Sequence, residues 1–396
     1  MNNSSLKKRL LSVAMAAVMV FSLLPATAWA AMAENLPAAS GQIRTEQKRG
    51  GSDTYTVTRD VKSVAAAQTG AVKKVVLDLT TGEDQVSLDA NGGYQWVAGE
   101  NYLYLYKVQI EAEGSNALIL PAGTTVKVVG ECSITGGGAN ECAVWSKGDV
   151  TVGLGQDAAL TVNGLGWRAE GNLTVAHAYD AYTGGELTVN YNGTSSDNGT
   201  SGAAIYMGGN TLRVEQGARV TANGSGIGNV KAKDSCGVKG AVYVDGGAEL
   251  VADGGSAGSA GISYGIFGDV TVKNGTVTAT GGSGLQSYGV SGNSVSVSDG
   301  GVLNANGGTA VQDLNSSIKP ISGGIYLGNN AVIENAAVNA SGGVAPCGNS
   351  FASVGLQMTS RSEVTVNSGG VLNANGGQLT NGSSANETNA SAPVSI

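Results

Sequence analysis

One histidine is the first residue to consider for catalysis in this chain. His177 is the only histidine, and Asp180 follows it three residues later. The pattern of residues 173–175 predicts a short strand, so we place His177 in the loop after it, together with Tyr179 and Tyr182. General acid–base catalysis needs partner groups held within hydrogen-bonding distance. A lone His–Asp spacing does not predict such a site, and we do not expect His177 to be catalytic.

The acidic and basic residues do not form the pairs that polysaccharide-cleaving enzymes use. Glycoside hydrolysis needs two carboxyl groups that face each other across the sugar, whereas Glu249, Glu334 and Glu363 lie near different predicted strands. A lyase would need a basic residue beside acidic calcium ligands, and neither Lys127 nor Arg213 has an acidic ladder beside it. We predict no cofactor, and the absence of Gly-Gly-x-Gly-x-Asp repeats leaves calcium unsupported. A lyase or glycoside hydrolase is therefore the least favoured interpretation.

Aromatic side chains are better candidates, because they can serve as platforms for sugar rings. They make up only 5% of the chain, yet many lie toward its N-terminal end. A Trp or Tyr ring offers a flat apolar face with a polar edge, which suits a sugar. The candidate stacking residues are Trp96, Tyr102, Tyr104, Trp145, Trp167 and Tyr182. The alternative, that these rings fill the core of the first repeats, stays open from the sequence alone.

An internal repeat must position these residues. The segment Gly300–Gly308 recurs without change as Gly369–Gly377, and looser copies run through the chain. When nine copies are aligned on the polar residue before the glycine, they stand 26 to 35 residues apart. The aligned residues are Thr135, Asn163, Asn190, Asn223, Asp253, Thr280, Asn306, Ser341 and Asn375. The variable spacing indicates loops of different length at the corners of a stacked repeat.

Each repeat contains three short strand patterns. Segments such as 150–152 and 270–272 alternate apolar, polar and apolar residues, and a further short apolar segment precedes them, as at Ile266 and Ile325. Period-2 segments present one face to a core and the other to water. We therefore predict an all-β fold, a right-handed single-stranded parallel β-helix of about nine three-strand coils with an aromatic-rich N-terminal β cap. A β-sandwich would need antiparallel hairpins, and a propeller would need longer strands.

The pattern divides the chain into five parts. Residues 1–30 resemble a secretory signal peptide, with a basic start, an apolar run and a small-x-small site at Ala28 and Ala30. We predict a flexible lead-in at 31–70, the β cap at 71–120, the β-helix at 121–377 and a polar tail or linker at 378–396. The product would be secreted, with association with the cell surface as an open alternative.

The net charge of the chain limits the kinds of partner that it can bind. Residues 1–30 hold three of the 22 basic and none of the 30 acidic residues, so the remainder has a net charge of −11. Binding to nucleic-acid phosphates needs a basic face, and we predict no nucleic-acid partner. We also predict a monomer without a membrane span once the signal peptide is removed.

Four cysteines are present, and Cys132 and Cys142 are the only pair close in sequence. Secretion permits a disulfide between them. Two buried thiols are the alternative.

A family resemblance supports a function. Residues 93–105, residues 117–126 and the element at 324–328 resemble repetitive β-helix domains of secreted clostridial proteins, over about residues 72–377. Many such proteins are described as carbohydrate-binding, and their architecture is similar to that of pectin-lyase-like solenoids. The resemblance implies a secreted bacterial protein that binds polysaccharide or cell-envelope glycan without catalysis. The alternative is a structural, adhesin-like solenoid of the cell surface without a small ligand.

Overall fold

The chain folds almost entirely into short parallel β-strands. The computed structural model describes residues 76–89, 92–138, 141–179, 183–192, 202–224, 234–257, 260–312, 319–346, 352–380 and 390–395. The predicted signal peptide and lead-in lie outside these ranges. Within them, the helical elements are the single 3₁₀ turns Leu79–Thr81 and Ala98–Glu100. None of the helices in these ranges is long and apolar enough to cross a membrane.

The largest sheet contains nineteen strands and combines two parallel ladders. The first ladder consists of Leu77–Asp78, Leu118–Leu120, Val144–Ser146, Trp167–Ala169, Gly202–Val214, Ser235–Asp245, Ile262–Phe267, Gln286–Ser298, Ile321–Glu334, Ala352–Met358 and Ala390–Ser395. The second ladder adds Tyr102–Tyr106, Thr124–Val129, Val150–Leu154, Leu173–His177, Val270–Lys273 and Glu363–Val366. The four longest strands belong to both ladders, since their first halves pair in the first and their second halves in the second.

A third ladder of ten strands forms a separate sheet. Its strands are Gln109–Glu111, Glu131–Gly136, Ala159–Gly164, Glu186–Tyr191, Arg219–Asn223, Glu249–Asp253, Thr276–Thr280, Val302–Asn306, Ala337–Ser341 and Val371–Asn375. A short fourth ladder consists of Ser283–Gly284, Thr309–Ala310, Val344–Pro346 and Gln378–Thr380. The chain visits the first three ladders in the same order in successive repeats, an arrangement consistent with a β-helix.

The register of the third ladder reproduces the repeat alignment read from the sequence. The nine polar positions from Thr135 to Asn375 pair in sequence order, each with the next. Their neighbours on the inner side, such as Val162, Val189 and Ala222, are fully buried. On the outer side Asn190 donates to Asn163 at 2.9 Å, and Asn223 donates to Asn190 at 2.8 Å. The prediction of an all-β fold with stacked parallel strands is therefore confirmed.

Small residues let the first ladder pass close to the third. Gly265 is buried, and a Cβ atom built there would lie 2.6 Å from the amide nitrogen of Thr280 and 2.8 Å from the carbonyl oxygen of Ala252. Gly237, one strand earlier, is similarly crowded by backbone atoms on the third ladder. A side chain would have to displace backbone, not a flexible group, and the sequence therefore needs glycine at these positions.

A column of buried serines on the first ladder forms hydrogen bonds with the loops that follow the strands of the third ladder. The aligned residues are Ser235, Ser263, Ser287, Ser322 and Ser353, all fully buried. Ser287 Oγ donates to the carbonyl oxygen of Gly282 at 2.8 Å and accepts from the amide of Gly308 at 2.9 Å. Each such hydroxyl satisfies backbone groups that would otherwise be buried without a partner.

The N-terminal end is an antiparallel meander. Gln85–Asp89 pairs with Gly92–Val97, which pairs with Tyr102–Tyr106. Parallel pairing already begins within the predicted cap, because Leu77–Asp78 aligns with Leu118–Leu120 and Tyr102–Tyr106 aligns with Thr124–Val129. The cap therefore merges with the ladders before residue 121.

The segment predicted as a polar tail or linker includes two strands in its described parts. Gln378–Thr380 pairs with Val344–Pro346, and Ala390–Ser395 pairs with Ala352–Met358. Backbone hydrogen bonding does not require large apolar side chains, which explains why a segment poor in them still extends the ladders.

Of the two alternatives for Cys132 and Cys142, the structure does not contain the disulfide. Cys132 and Cys142 are both free thiols. Cys132 is buried on the third ladder next to Leu160, whereas Cys142 precedes the first-ladder strand Val144–Ser146 and donates to Asn116 Oδ1 at 3.4 Å. Cys132 lies within a strand whereas Cys142 lies outside the strands, and the two thiols contact different groups, so the alternative without a disulfide describes the structure, with only Cys132 fully buried. Burial raises the pKa of Cys142 to about 11.

Replacing Gly265 by Ala tests the close approach of the two ladders. The new methyl group would collide with backbone, and overpacking of this kind costs about 1–3 kcal/mol. We expect Gly265→Ala to lower the unfolding free energy by at least that amount in a denaturant titration. Gly209→Ala is the matched control, because a Cβ there meets nothing within 4 Å. If Gly265→Ala and Gly209→Ala have equal unfolding free energies, the claim that backbone atoms crowd Gly265 is contradicted.

Candidate functional site

Two of the predicted stacking residues are in the core. Trp96 and Trp167 are each only 1% exposed. The indole nitrogen of Trp167 donates to the buried Ser146 hydroxyl at 2.8 Å. Neither ring is accessible to a sugar, so the stacking prediction is corrected for both, and their role is to fill the core of the cap and the first repeats. Tyr182 lies outside the described residues.

Tyr102 and Tyr104 lie on the outer face of the second ladder, where both are partly exposed. Tyr104 aligns with Lys127, whose ammonium lies 4.8 Å from the ring centre of Tyr179. Burial, with the neighbouring phenols of Tyr179 and Tyr104, raises the pKa of Tyr102 to about 12. These side chains form a small aromatic patch near the N-terminal end of the ladder.

The candidate catalytic groups are not brought together. His177 is the last residue of the strand Leu173–His177, not a loop residue, and it is buried beside Gly185. Glu249 is on the third ladder and lies 3.7 Å from Arg219. Glu363 aligns with Asn330, four residues before Glu334, so the backbones of Glu363 and Glu334 are offset by about 13 Å along the strand direction.

The two basic candidates contact other side chains. Lys127 donates to the Tyr179 hydroxyl at 3.3 Å. Arg213 donates twice to Glu215, at 2.9 and 2.7 Å, and stacks over the Tyr243 ring. Across the described residues, no group of three or more His, Cys, Asp and Glu side chains is placed to hold a metal ion.

An unpredicted site lies on the outer face of the first ladder. Five side chains at aligned positions alternate between aromatic and cationic, one from each of five consecutive strands, and we call them the stripe. In order along the ladder they are Trp145, Arg168, Tyr206, Lys239 and Phe267. Neighbouring strands of a sheet are about 4.8 Å apart, so the stripe runs about 19 Å along the stacking direction.

Cations and rings in the stripe are within the range of cation–π attraction. The Arg168 guanidinium lies 5.7 Å from the Trp145 ring centre and 5.9 Å from that of Tyr206. The Lys239 ammonium lies 5.7 Å from the ring centres of both Tyr206 and Phe267. Such contacts hold the long basic side chains against the face of the ladder. The rings are partly exposed, and Phe267 is 40% exposed.

Buried tyrosines support one end of the stripe. The Tyr264 ring lies 4.8 Å from that of Phe267 and stacks at 6.2 Å on Tyr288, which in turn contacts Tyr326 at 5.7 Å. Tyr264 and Tyr288 pack with Cys236 in a second apolar cluster separate from the main core. This packing reduces the freedom of Phe267 and pre-organises the exposed surface.

The sequence contains a signal for the stripe that reasoning from aromatic density missed. Tyr206, Phe267 and Tyr326 each follow an isoleucine that faces the core. Since successive side chains of a strand point to opposite faces, an aromatic residue directly after a core isoleucine must face outward. Trp145 follows the buried Val144 in the same way and is the one predicted stacking residue within the stripe.

Comparisons with known proteins add nothing to this geometry. No family model matches the chain, and no curated protein or solved structure matches it either.

The buried phenols beneath the stripe predict a loss of stability at alkaline pH. Burial raises the pKa of Tyr264 and of Tyr288 above the ordinary value of 10.0. Their stabilising contribution is therefore complete below pH 10 and is lost as the pH rises further, because unfolding then releases their protons. We expect the unfolding free energy, measured by denaturant titration, to fall above pH 10.

Two variants separate this effect from simple packing. Tyr264→Phe should keep the neutral-pH stability and reduce the alkaline loss. Tyr288→Phe should also lose about 1 kcal/mol at neutral pH, because its hydroxyl donates to Gln357 at 3.0 Å. If the unfolding free energy of Tyr264→Phe falls above pH 10 as steeply as that of the wild type, the alkaline loss does not come from the Tyr264 phenol.

Proposed function

We propose that this protein is a secreted, non-catalytic β-helix that binds polysaccharide along the stripe. The observation that supports the proposal is the alignment of three partly exposed rings, those of Trp145, Tyr206 and Phe267, at every second strand of one ladder. The Lys147 ammonium lies over the Trp145 ring, 2.7 Å from its centre. Flat apolar rings in a row suit a linear chain of sugar rings, each with an apolar face. The family resemblance of the sequence agrees with this proposal.

The proposal also includes the finer architecture. We take one passage through the first, second and third ladders as one coil, which gives about nine coils between Thr135 and Asn375. A right-handed path is favoured because crossovers between parallel strands of one sheet are right-handed in almost all proteins. Secretion follows from the predicted signal peptide at 1–30. We further propose that the protein acts as a monomer without a nucleic-acid partner.

Rigidity supports a role as a binding platform. The rings of the stripe stand on strands whose backbones are bonded on both sides, and the polar column of the third ladder is joined by side-chain hydrogen bonds such as that from Asn339 to Asn304 at 2.8 Å. A ligand that binds such a surface orders little of the protein, which lowers the entropic cost of binding.

Removing one ring of the stripe tests the proposal. We expect Phe267→Ala and Tyr206→Ala each to weaken retention on a polysaccharide that the wild type binds by about tenfold, or ~1.4 kcal/mol. Affinity electrophoresis through gels containing single polysaccharides measures this effect. Tyr179→Ala is the control, because Tyr179 is 44% exposed but lies by the second ladder. Absence of retention on any polysaccharide would instead favour the structural, adhesin-like alternative.

A further inference from the structure

The cations of the stripe indicate what kind of polysaccharide would bind, an inference that rests on the proposed function. Arg168 and Lys239 are on the outer column of the first ladder, with Tyr206 between them. The nine aligned positions of this column from Ile119 to Gln357 include no acidic residue. The column is thus locally positive on a protein whose net charge is −8.

Neither of these two cations has a carboxylate partner within salt-bridge distance in the described part of the chain. Among the described residues, neither Arg168 nor Lys239 forms an ion pair, whereas Arg213 and Arg219 both do. Glu170 contacts the stripe through Trp145, and Asp234 precedes the strand that carries Lys239; both bond to neutral donors and keep their negative charge. Glu170 accepts from the indole nitrogen of Trp145 at 3.1 Å, and Asp234 accepts from the amide of Ile262 at 3.0 Å.

Cations at this separation match a particular spacing of anions. Arg168 and Lys239 are two strands apart, and the same holds for each pair of successive rings in the stripe. Two strand spacings are about 9.6 Å. In an extended polysaccharide the same face of the chain returns after two sugars, and this repeat has a similar length. An acidic group on every second sugar would therefore meet a cation each time the intervening sugar meets a ring.

We propose that the ligand of the stripe is a linear acidic polysaccharide with a disaccharide repeat of one charged and one neutral sugar. Its chain runs along the stacking direction of the strands. Neutral sugars stack on Trp145, Tyr206 and Phe267, while carboxylate or sulfate groups bind the guanidinium of Arg168 and the ammonium of Lys239. Charge-assisted hydrogen bonds of this kind are about twice as strong as neutral ones.

A single-stranded nucleic acid also combines charge with stackable rings, but it fits less well. Its bases stack at a far shorter interval, near the 3.4 Å rise of a DNA strand, than the two-strand spacing of the rings. The net negative charge of the protein also opposes the approach of a dense polyanion.

The test uses the full chain and hyaluronan, in which an uronic acid alternates with an N-acetylated sugar. We expect the wild type to bind hyaluronan and to bind its carboxyl-reduced derivative at least tenfold more weakly, with affinity for the acidic form falling as salt rises. Arg168→Gln combined with Lys239→Gln should weaken hyaluronan binding by a similar factor. Lys127→Gln combined with Arg213→Gln, which removes the same charge from the second ladder, should not.

The outcomes separate this inference from the proposed function. If the carboxyl-reduced polymer or a neutral glucan binds as tightly as hyaluronan, the acidic ligand is ruled out while glycan binding stands. If no polysaccharide binds, both proposals fail. Tighter binding of an oligothymidylate than of hyaluronan would overturn the inference in favour of nucleic acid. The polymer comparison needs no variant, so a folding defect in the double variant would not prevent the decision.

Discussion

In-register parallel pairing is the constraint on which the rest of the structure depends. Each strand of the third ladder aligns residue by residue with the strand one repeat later, about 4.8 Å away, and the other ladders pair in the same way except at irregularities after Tyr206 and Gly292. Every position is thereby stacked on its equivalents, and a residue type is acceptable only if it tolerates such neighbours. Valine and leucine satisfy this inside the ladders. Asparagine satisfies it outside, because its amide can donate to one neighbour and accept from the other, as Asn339 does between Asn304 and Asn373.

The same constraint explains which parts of the fold could be predicted. The repeat alignment from Thr135 to Asn375 follows from polar residues at fixed positions before glycine, and those positions are the ones that pair. Alternation within strands gave the inner face directly. The crowding at Gly265 and the hydroxyl contacts of Ser287 were not predictable, because they depend on how closely two ladders approach each other and not on the pattern within either.

The candidate site was predicted less well, because successive side chains of a strand alternate between its two faces. In a strand of three residues, a shift of one position exchanges the inner and outer faces. Trp145 and Trp167 occupy equivalent strands, yet Trp145 is the second residue of its strand and faces out, while Trp167 is the first and is buried. Counting aromatic residues along the chain cannot separate these cases. The number of positions between an aromatic residue and a core residue such as Val144 or Ile205 does separate them, because it decides which face the ring is on.

Charge stacking adds a physical reason to regard the stripe as a binding surface. Like charges on adjacent strands repel, and the third ladder solves this problem by alternating opposite charges, with Arg219 between Glu186 and Glu249 at 3.8 and 3.7 Å. The stripe instead separates its cations with aromatic rings, and neither cation forms an ion pair among the described residues. A column that keeps both its charge and its exposed rings has the properties that a ligand carrying the opposite charge requires.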